Sequence, residues 1–185
     1  MDNRPVVITD FTNLANQKWQ IVNDEVMGGL SDSSFQINSG GNAVFLGDIS
    51  LKNNGGFASV RNQERINLLG FKQIRLTIKG DGKRYSFRLK SKSDKTNTQY
   101  WYEHRFDTKA NSWEEILLPL NDFQATYRGE RPTDAPKLDT ENISHFGFLI
   151  SDKQSGEFRL EIKKIEAVSK LTTPGNDSVQ IEANG

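Results

Sequence analysis

The sequence contains no cysteine, which excludes a disulfide framework, a thiolate nucleophile and a zinc site of the cysteine type. Histidine is almost as scarce, because His104 and His145 are the two copies in 185 residues. Histidine-based catalysis is therefore limited, and a multi-histidine metal centre is not expected. A metal ion would need oxygen ligands, and Asp10, Asp24 and Asp48 are candidate carboxylates for calcium. Their spacing singles out none of them, so the metal stays unknown and we expect no cofactor.

The sequence also has no excess of charge of either sign. Its 24 Lys and Arg residues balance 24 Asp and Glu residues, which removes the electrostatic signature of a nucleic-acid or membrane-surface binder. No run approaches the roughly 18 apolar residues that a bilayer-spanning helix needs. The first residues, MDNRPVVITDF, resemble neither an export signal nor an Arg-rich transit peptide. We therefore expect a soluble, cytoplasmic protein that binds no nucleic acid.

A catalytic constellation is missing as well. A nucleophile beside a base, or two convergent carboxylates, would be needed, and neither pattern is present. The glycine-rich stretches lack the Lys-Ser/Thr pair and the βαβ context of a phosphate-binding loop. His104 is in phase with Tyr102 and Phe106, which favours a hydrogen-bonded core histidine over a ligand. We predict no catalytic residue and a protein that is not an enzyme.

The alternation of apolar and polar residues is the clearest structural signal. IRLTIK at 74–79 and YSFRLK at 85–90 both have period two, which indicates strands with one buried and one wet face. Some nine or ten such runs predict an all-β, antiparallel β-sandwich or jelly roll. One helical turn is expected at 13–18, and Ile165, three residues after Ile162, predicts a bulge or a strand end. Residues 1–170 would form a single domain, and 171–185 a flexible polar tail.

Two stretches with paired glycines fit no regular element. WQIVNDEVMGGLS at 19–31 predicts a shaped loop, and the Asn-Asn-Gly-Gly run at 53–56 predicts a tight turn or hairpin. The two loops indicate close backbone approach, to each other or to a ligand, or else simple chain reversal. We expect them to meet at one end of the sandwich, above Trp19 and Phe57. A solvated capping role is expected for Asp24. The residues assigned to these loops are Trp19, Asn23, Asp24, Met27, Gly28, Gly29, Ser31, Asn53, Asn54, Gly55, Gly56 and Phe57.

A candidate binding surface is the polar face of several strands, which would form one charged row if those strands are neighbours. The row contains Arg75, Arg88, Trp101, Glu103, Arg105, Arg159 and Glu161. It is either a charge ladder that keeps the surface soluble, at about 0.2 to 1 kcal/mol per pair, or a groove for a polypeptide or sugar. In the groove, Trp101 would be the stacking platform. Within the long polar segment 123–142, residues 126–139 are predicted to form a surface loop used for contact, or a disordered one, with Tyr127, Arg128 and Arg131 as anchors.

Two motifs give a resemblance to a known family. They are W-x3-N-D-x-V-M-G-G-x-S at 19–31 and G-x-I-S-L-x-N-N-G-G-F-A-S-V-R at 47–61. Together they resemble the complex I intermediate-associated protein 30 family, over roughly residues 8–168. The resemblance implies a galactose-binding-like jelly roll. It also implies a role in assembling respiratory complex I, and related domains are linked to photosystem biogenesis.

The resemblance implies a non-enzymatic assembly or scaffolding factor. Such a factor would bind protein subunits or intermediates of a complex I-like or photosystem membrane complex. The alternative is a carbohydrate-binding module, which the galactose-binding-like fold and Trp101 favour and the missing export signal opposes.

Overall fold

The computed structural model describes residues 4–12, 18–92 and 100–169. The helical turn expected at 13–18 falls almost wholly outside these ranges, and the tail expected at 171–185 falls outside them completely. Across the described ranges, no helix is long and apolar enough to cross a membrane.

The described residues form twelve strands in two six-stranded antiparallel sheets. The first sheet contains β1 Val6–Thr9, β3 Asp32–Ile37, β4 Ala43–Ile49, β6 Gln73–Lys79, β9 Trp113–Pro119 and β12 Gly156–Val168. The second contains β2 Trp19–Asn23, β5 Ala58–Asn62, β7 Arg84–Ser91, β8 Trp101–Asp107, β10 Gln124–Thr126 and β11 Ile143–Ile150. The first sheet has the order β3-β4-β12-β6-β9, with β1 also on β12, and the second has the order β10-β8-β7-β11-β5-β2.

The core lies between the two sheets and is built by the apolar members of the alternating strands. Leu76 and Ile78 of the first sheet and Phe87, Leu89 and Phe148 of the second are all fully buried. Sheets packed face to face in this way require one apolar face on each. The predicted all-β, antiparallel jelly-roll sandwich is confirmed.

The turn between β6 and β7 is a crossover from one sheet to the other. The Asp81 carboxylate holds it, accepting hydrogen bonds from Lys83 N at 3.1 Å, the Tyr85 hydroxyl at 2.9 Å and Arg159 N at 2.8 Å. The two most regular strands of the sequence therefore lie in different sheets of the sandwich. The expected wet face is wrong for β7, because Ser86 and Arg88 are buried by neighbours on its outer side.

The last strand, β12, carries the predicted bulge. Its pairing with β6 shifts register between Ile162 and Lys164, which confirms the irregularity expected before Ile165. The bulge divides one edge of β12, so that β4 pairs with residues 156–162 and β1 with 165–167.

The stretch 19–31 is not a loop throughout. Residues Trp19–Asn23 form β2, which pairs with β5, and the irregular part begins with a 3-10 helix at Asp24–Met27. Likewise, the paired-glycine run at 53–56 is not a hairpin, because β4 and β5 lie in different sheets. Pairing along β5 overrides the weak strand signal of the first stretch.

The segment 123–142 also contains regular structure that its sequence does not indicate. Three of its residues form β10 on the edge of the second sheet, and Thr140–Asn142 form a 3-10 helix. A strand this short has too few residues to show a period.

Candidate functional site

The two glycine loops meet around the carboxylate of Asp24, and we call this contact the loop junction. Asp24 is 1% exposed. Its carboxylate accepts hydrogen bonds from the backbone and hydroxyl of Ser31, at 3.0 and 2.5 Å, and from the backbones of Gly56 and Phe57, at 2.7 and 3.4 Å. One side chain thus binds both loops.

Each glycine pair has one member for conformation and one for space. Gly28 and Gly56 have φ angles of 85° and 139°, which a side chain tolerates poorly. Gly29 and Gly55 instead lie against Asp24, so that a Cβ on either would come within 2.4 and 2.6 Å of its carboxylate. Both glycine pairs are therefore needed for the backbones of the two loops to approach the Asp24 carboxylate.

The solvated role expected for Asp24 is wrong. Burial opposes ionisation of its carboxyl, but the hydrogen bonds from Ser31, Gly56 and Phe57 outweigh burial and hold the pKa of Asp24 below its ordinary value. Trp19 is not beneath the junction either. It pairs with Asn62 at the far end of β2, and its ring stacks on Phe35 at 4.5 Å.

Basic side chains gather around Trp101 on the outer face of the second sheet. The ring centroid of Trp101 is 4.3 Å from Arg88 Cζ, 5.2 Å from Arg61 Cζ and 5.6 Å from Lys90 Nζ. The ring of His145 lies edge-on to it at 5.9 Å. We call this surface, together with Glu103, the Trp101 face.

Sheet pairing brings these residues together. Arg88 of β7 is opposite Glu103 of β8 on one side and Gly147 of β11 on the other. Gly147 in turn pairs with Arg61 of β5. Since glycine has no side chain, the two guanidinium groups can approach across it.

The charges of the Trp101 face are poorly compensated. Arg88 is 9% exposed, and its Nε and Nη2 atoms, like Nε of Arg61, are buried without a hydrogen-bond partner. Burial, and then the charge of Arg61, lower the pKa of Arg88 to about 9 against the opposing charge of Glu103, so Arg88 stays cationic at neutral pH. Burial and the nearby cations Lys90, Arg61 and Lys92 also lower the pKa of His145, which favours its neutral form.

The acid of this face, Glu103, is directed toward two other arginines. Its Oε1 lies 3.8 Å from Arg105 Nε and 3.8 Å from Arg131 Nη2. Arg105 in turn pairs with Asp152 at 3.2 Å. Glu103 therefore ties the segment after β10 to the sheet.

The seven-residue row predicted from the sequence is split between the sheets. Arg88, Trp101, Glu103 and Arg105 belong to the second sheet, whereas Arg75, Arg159 and Glu161 belong to the first. The prediction of one row is wrong because the turn at 80–82 crosses between sheets. Arg61 and His145 could not be included from the sequence, because β5 and β11 are distant in sequence from β7 and β8. Lys90, in contrast, is in phase with Arg88 on β7 and was left out of the row.

The three anchors predicted in segment 123–142 lie at and after a tight turn. Tyr127 and Glu130 exchange two backbone hydrogen bonds, and Arg128 and Gly129 between them have φ angles of 50° and 81°. Tyr127 is 37% exposed and packs edge-on against Tyr100 at 6.0 Å. Of the three anchors, Arg131 forms an ion pair with Glu103.

The remaining candidates of the sequence are dispersed. Within the ranges that the structure describes, no group of three or more acidic or histidine side chains could hold a metal ion. Asp10 accepts hydrogen bonds from Thr12, and Asp48 lies exposed on β4. His104 is half-buried, with Nδ1 2.7 Å from the Arg105 carbonyl and its ring against Phe123.

A groove of about 560 Å³ adjoins the Trp101 face and shares His145 with it. It is lined by both signs of charge, including Lys18, Arg65, Lys92 and Glu141. The groove thus extends the polar surface toward the ends of β5 and β11.

The family model of complex I intermediate-associated protein 30 matches residues 9–162. An uncharacterised protein of Schizosaccharomyces pombe is 30% identical over 177 residues, covering 85% of this chain and 81% of that protein. A probable mitochondrial complex I intermediate-associated protein 30 of Caenorhabditis elegans is 27% identical over 164 residues, covering 78% of this chain and 48% of that protein. The chain thus spans about half the length of the nematode relative. Because that relative is mitochondrial by name, the cytoplasmic location stays a prediction.

Among solved structures, the chain is similar to the family 11 carbohydrate-binding module of a cellulosomal cellulase of Clostridium thermocellum. The TM-score is 0.68 at 16% identity, with 94% of this chain and 99% of that chain covered. A structure of a family 11 module from this bacterium, in complex with a β-1,3-1,4-mixed-linked tetrasaccharide, gives 0.66 at 17% identity, with 91% and 98% covered. At such low identity the likeness shows a shared fold.

Proposed function

The chain belongs to the complex I intermediate-associated protein 30 family, and on this premise we propose that it is a non-enzymatic assembly or scaffolding factor. It binds protein intermediates of a membrane energy-converting complex, either a complex I-like enzyme or a photosystem. The observation that carries this proposal is the family match over residues 9–162, which includes every strand of the Trp101 face.

The Trp101 face is the surface that we assign to the partner. Tryptophan, tyrosine and arginine are the residue types most enriched among interface hot spots. They occur here as Trp101, Arg88 and Arg61 on the sheet and as Tyr127 and Arg128 on the adjoining turn. A partner would supply acceptors to buried cationic groups that the chain itself leaves without hydrogen bonds.

Affinity capture of the tagged protein from its own cells tests this proposal. We expect the wild type to enrich complex I or photosystem subunits, and Trp101→Ala and Arg128→Ala to lose them. Trp113→Ala is the matched control, because Trp113 is 45% exposed on the first sheet and also has a lysine, Lys79, over its ring at 5.4 Å. Capture that is equal in Trp101→Ala and Trp113→Ala would remove the face from the proposal, and no enrichment of such subunits by the wild type would refute the function.

A carbohydrate-binding module is the second candidate, and the side chain that favours it is Trp101 on an open sheet face. Aromatic rings suit the apolar faces of sugars, and one solved structure of the same fold is a carbohydrate-binding module in complex with a β-1,3-1,4-mixed-linked tetrasaccharide. A glycan array with the purified protein, including mixed-linked β-glucan, tests this candidate. Saturable sugar binding that Trp101→Ala abolishes, without any captured protein, would replace the assembly role by this one.

A further inference from the structure

Arg88 has a buried edge without hydrogen-bond partners, of the kind that carboxylates pair with. Its two unpartnered atoms, Nε and Nη2, are neighbours on one side of the planar guanidinium group. Their N–H bonds are parallel, which matches the two oxygens of a carboxylate. A single sugar hydroxyl cannot accept both hydrogen bonds, whereas a phosphate can pair with this edge through two oxygens. The carboxylate is preferred here because the proposed partner is a protein.

The first sheet shows the same edge in its occupied state. Arg75 donates from Nε to Glu166 Oε1 at 3.0 Å and from Nη2 to Oε2 at 3.2 Å. That pair is also largely buried. One arginine of this fold is thus paired through both atoms to an acid of the chain, whereas Arg88 is buried with the same two atoms unpaired.

The surroundings of Arg88 do not replace such a partner. Trp101 supplies a cation–π contact, which offsets only part of the desolvation penalty of a buried ion. Arg61 and Lys90 add repulsion, since all three cations approach the same ring. Glu103 faces Arg88 in the register but makes its ion pairs with Arg105 and Arg131.

We propose that Arg88, flanked by Arg61 and Lys90, forms a carboxylate-binding site beside Trp101, whose occupant is an acidic side chain of a partner polypeptide. The carboxylate accepts both hydrogen bonds of the Arg88 edge after the side chains that cover Nε and Nη2 move aside, and the flanking cations complete its neutralisation. That the carboxylate belongs to a polypeptide rests on the proposed function, whereas the site itself rests on the geometry of Arg88.

The site can be tested by NMR of the ¹⁵N-labelled chain, following the Nε–H signals of arginine and the indole N–H of Trp101. The probes are acetate, a blocked tripeptide with a central glutamate, and its glutamine analogue. We expect acetate and the glutamate peptide to shift the Arg88 and Trp101 signals saturably, and the glutamine peptide to leave them in place. No saturable shift with acetate or the glutamate peptide would overturn the site.

Variants of Arg88 test whether binding needs the paired N–H donors of the guanidinium group or only its positive charge. Arg88→Gln should weaken binding of the glutamate peptide on the order of tenfold or more. Arg88→Lys should have an affinity between those of the wild type and Arg88→Gln, because lysine keeps the charge but not the two parallel N–H donors of the guanidinium group. Arg84→Gln is the control on the same strand, where the arginine already pairs with Asp107 at 2.8 Å. If Arg88→Gln does not fold, Arg61→Gln serves as the second variant. Unchanged affinity in the folded variant would overturn the site.

Two further experiments test the acidic polypeptide as the ligand of this site separately from the proposed assembly function. Tighter binding of inorganic phosphate or glucuronate than of the glutamate peptide would overturn the polypeptide as occupant. Arg88→Gln is also carried through the affinity capture, where loss of the subunits supports the acidic partner. Capture that persists in this variant would refute the acidic partner at this site while leaving the assembly function standing.

Discussion

The loop junction around Asp24 and the Trp101 face both keep charged side chains away from solvent, but they differ in the hydrogen bonds supplied. At the junction, Ser31, Gly56 and Phe57 donate to the Asp24 carboxylate. On the face, the Nε and Nη2 atoms of Arg88 receive no acceptor from the described residues. Removing the acceptor at the junction would leave buried donors unpaired, whereas the unpaired atoms of Arg88 require an explanation outside the fold, for which we propose a partner.

The largest effect is expected from Asp24→Ala. This change leaves the buried N–H groups of Ser31 and Gly56 without an acceptor, at about 1 to 3 kcal/mol each, so we expect a loss of about 3 kcal/mol or more in the free energy of unfolding. Urea denaturation measures it, with Asp48→Ala as the exposed control. Equal midpoints for the two variants would show that the junction does not hold the loops.

The junction glycines should come next. Gly29→Ala and Gly55→Ala place a methyl group against the Asp24 carboxylate, and overpacking of this kind costs about 1 to 3 kcal/mol. Gly28→Ala meets nothing within 4 Å and carries the penalty of its positive φ alone, about 1 kcal/mol. Thermal unfolding of the three variants checks the order. A larger loss in Gly28→Ala than in the other two would contradict a space requirement set by Asp24.

These two regions also differ in how far the sequence predicted them. The glycine loops and the alternating strands could be predicted, because a positive φ and a period of two are visible in short stretches of sequence. The burial of Asp24 was not, since an aspartate beside glycines is equally typical of a solvated turn. The cluster of Arg61, Arg88 and Lys90 depends on the order β8-β7-β11-β5, which no local pattern contains.

The acid sensitivity of the fold should depend on Asp24. The unfolded chain protonates this group near its ordinary pKa of about 3.9, whereas the folded chain keeps it ionised to lower pH. Its contribution to stability is therefore present above about pH 4 and is lost as the pH falls through the lowered pKa. We expect the wild type to lose more stability than Asp24→Asn between pH 5 and pH 2, measured by denaturation at each pH. Parallel curves would assign the acid response to other carboxylates.

The turn after β10 contrasts with the junction in its use of positive φ. The glycine loops place it on glycines and asparagines, at Gly28, Gly56, Asn53 and Asn54, whereas in this turn an arginine, Arg128, adopts it beside Gly129, with φ of 50°. Arg128→Gly should relieve this strain and raise stability by about 0.5 to 1 kcal/mol, while weakening capture of the partner. Calorimetry and affinity capture of the same variant measure both. A stabilised variant with intact capture would leave the arginine without a binding role.

The smallest change in stability is expected from Arg88→Met, which removes the unsatisfied charge but keeps an apolar chain against Trp101. The relieved desolvation offsets the lost cation–π contact, so we expect the free energy of unfolding to change by less than about 1 kcal/mol. Arg75→Met is its counterpart on the first sheet and should cost about 2 to 3 kcal/mol, because it removes both charge-assisted hydrogen bonds to the buried Glu166. Urea denaturation of both variants, together with NMR titration with acetate, shows whether Arg88 has a structural role or a binding role. If Arg88→Met is as destabilising as Arg75→Met, Arg88 is a structural residue and the distinction between the two regions fails. If Arg88→Met leaves stability unchanged and no longer binds acetate, the charge of Arg88 serves a ligand.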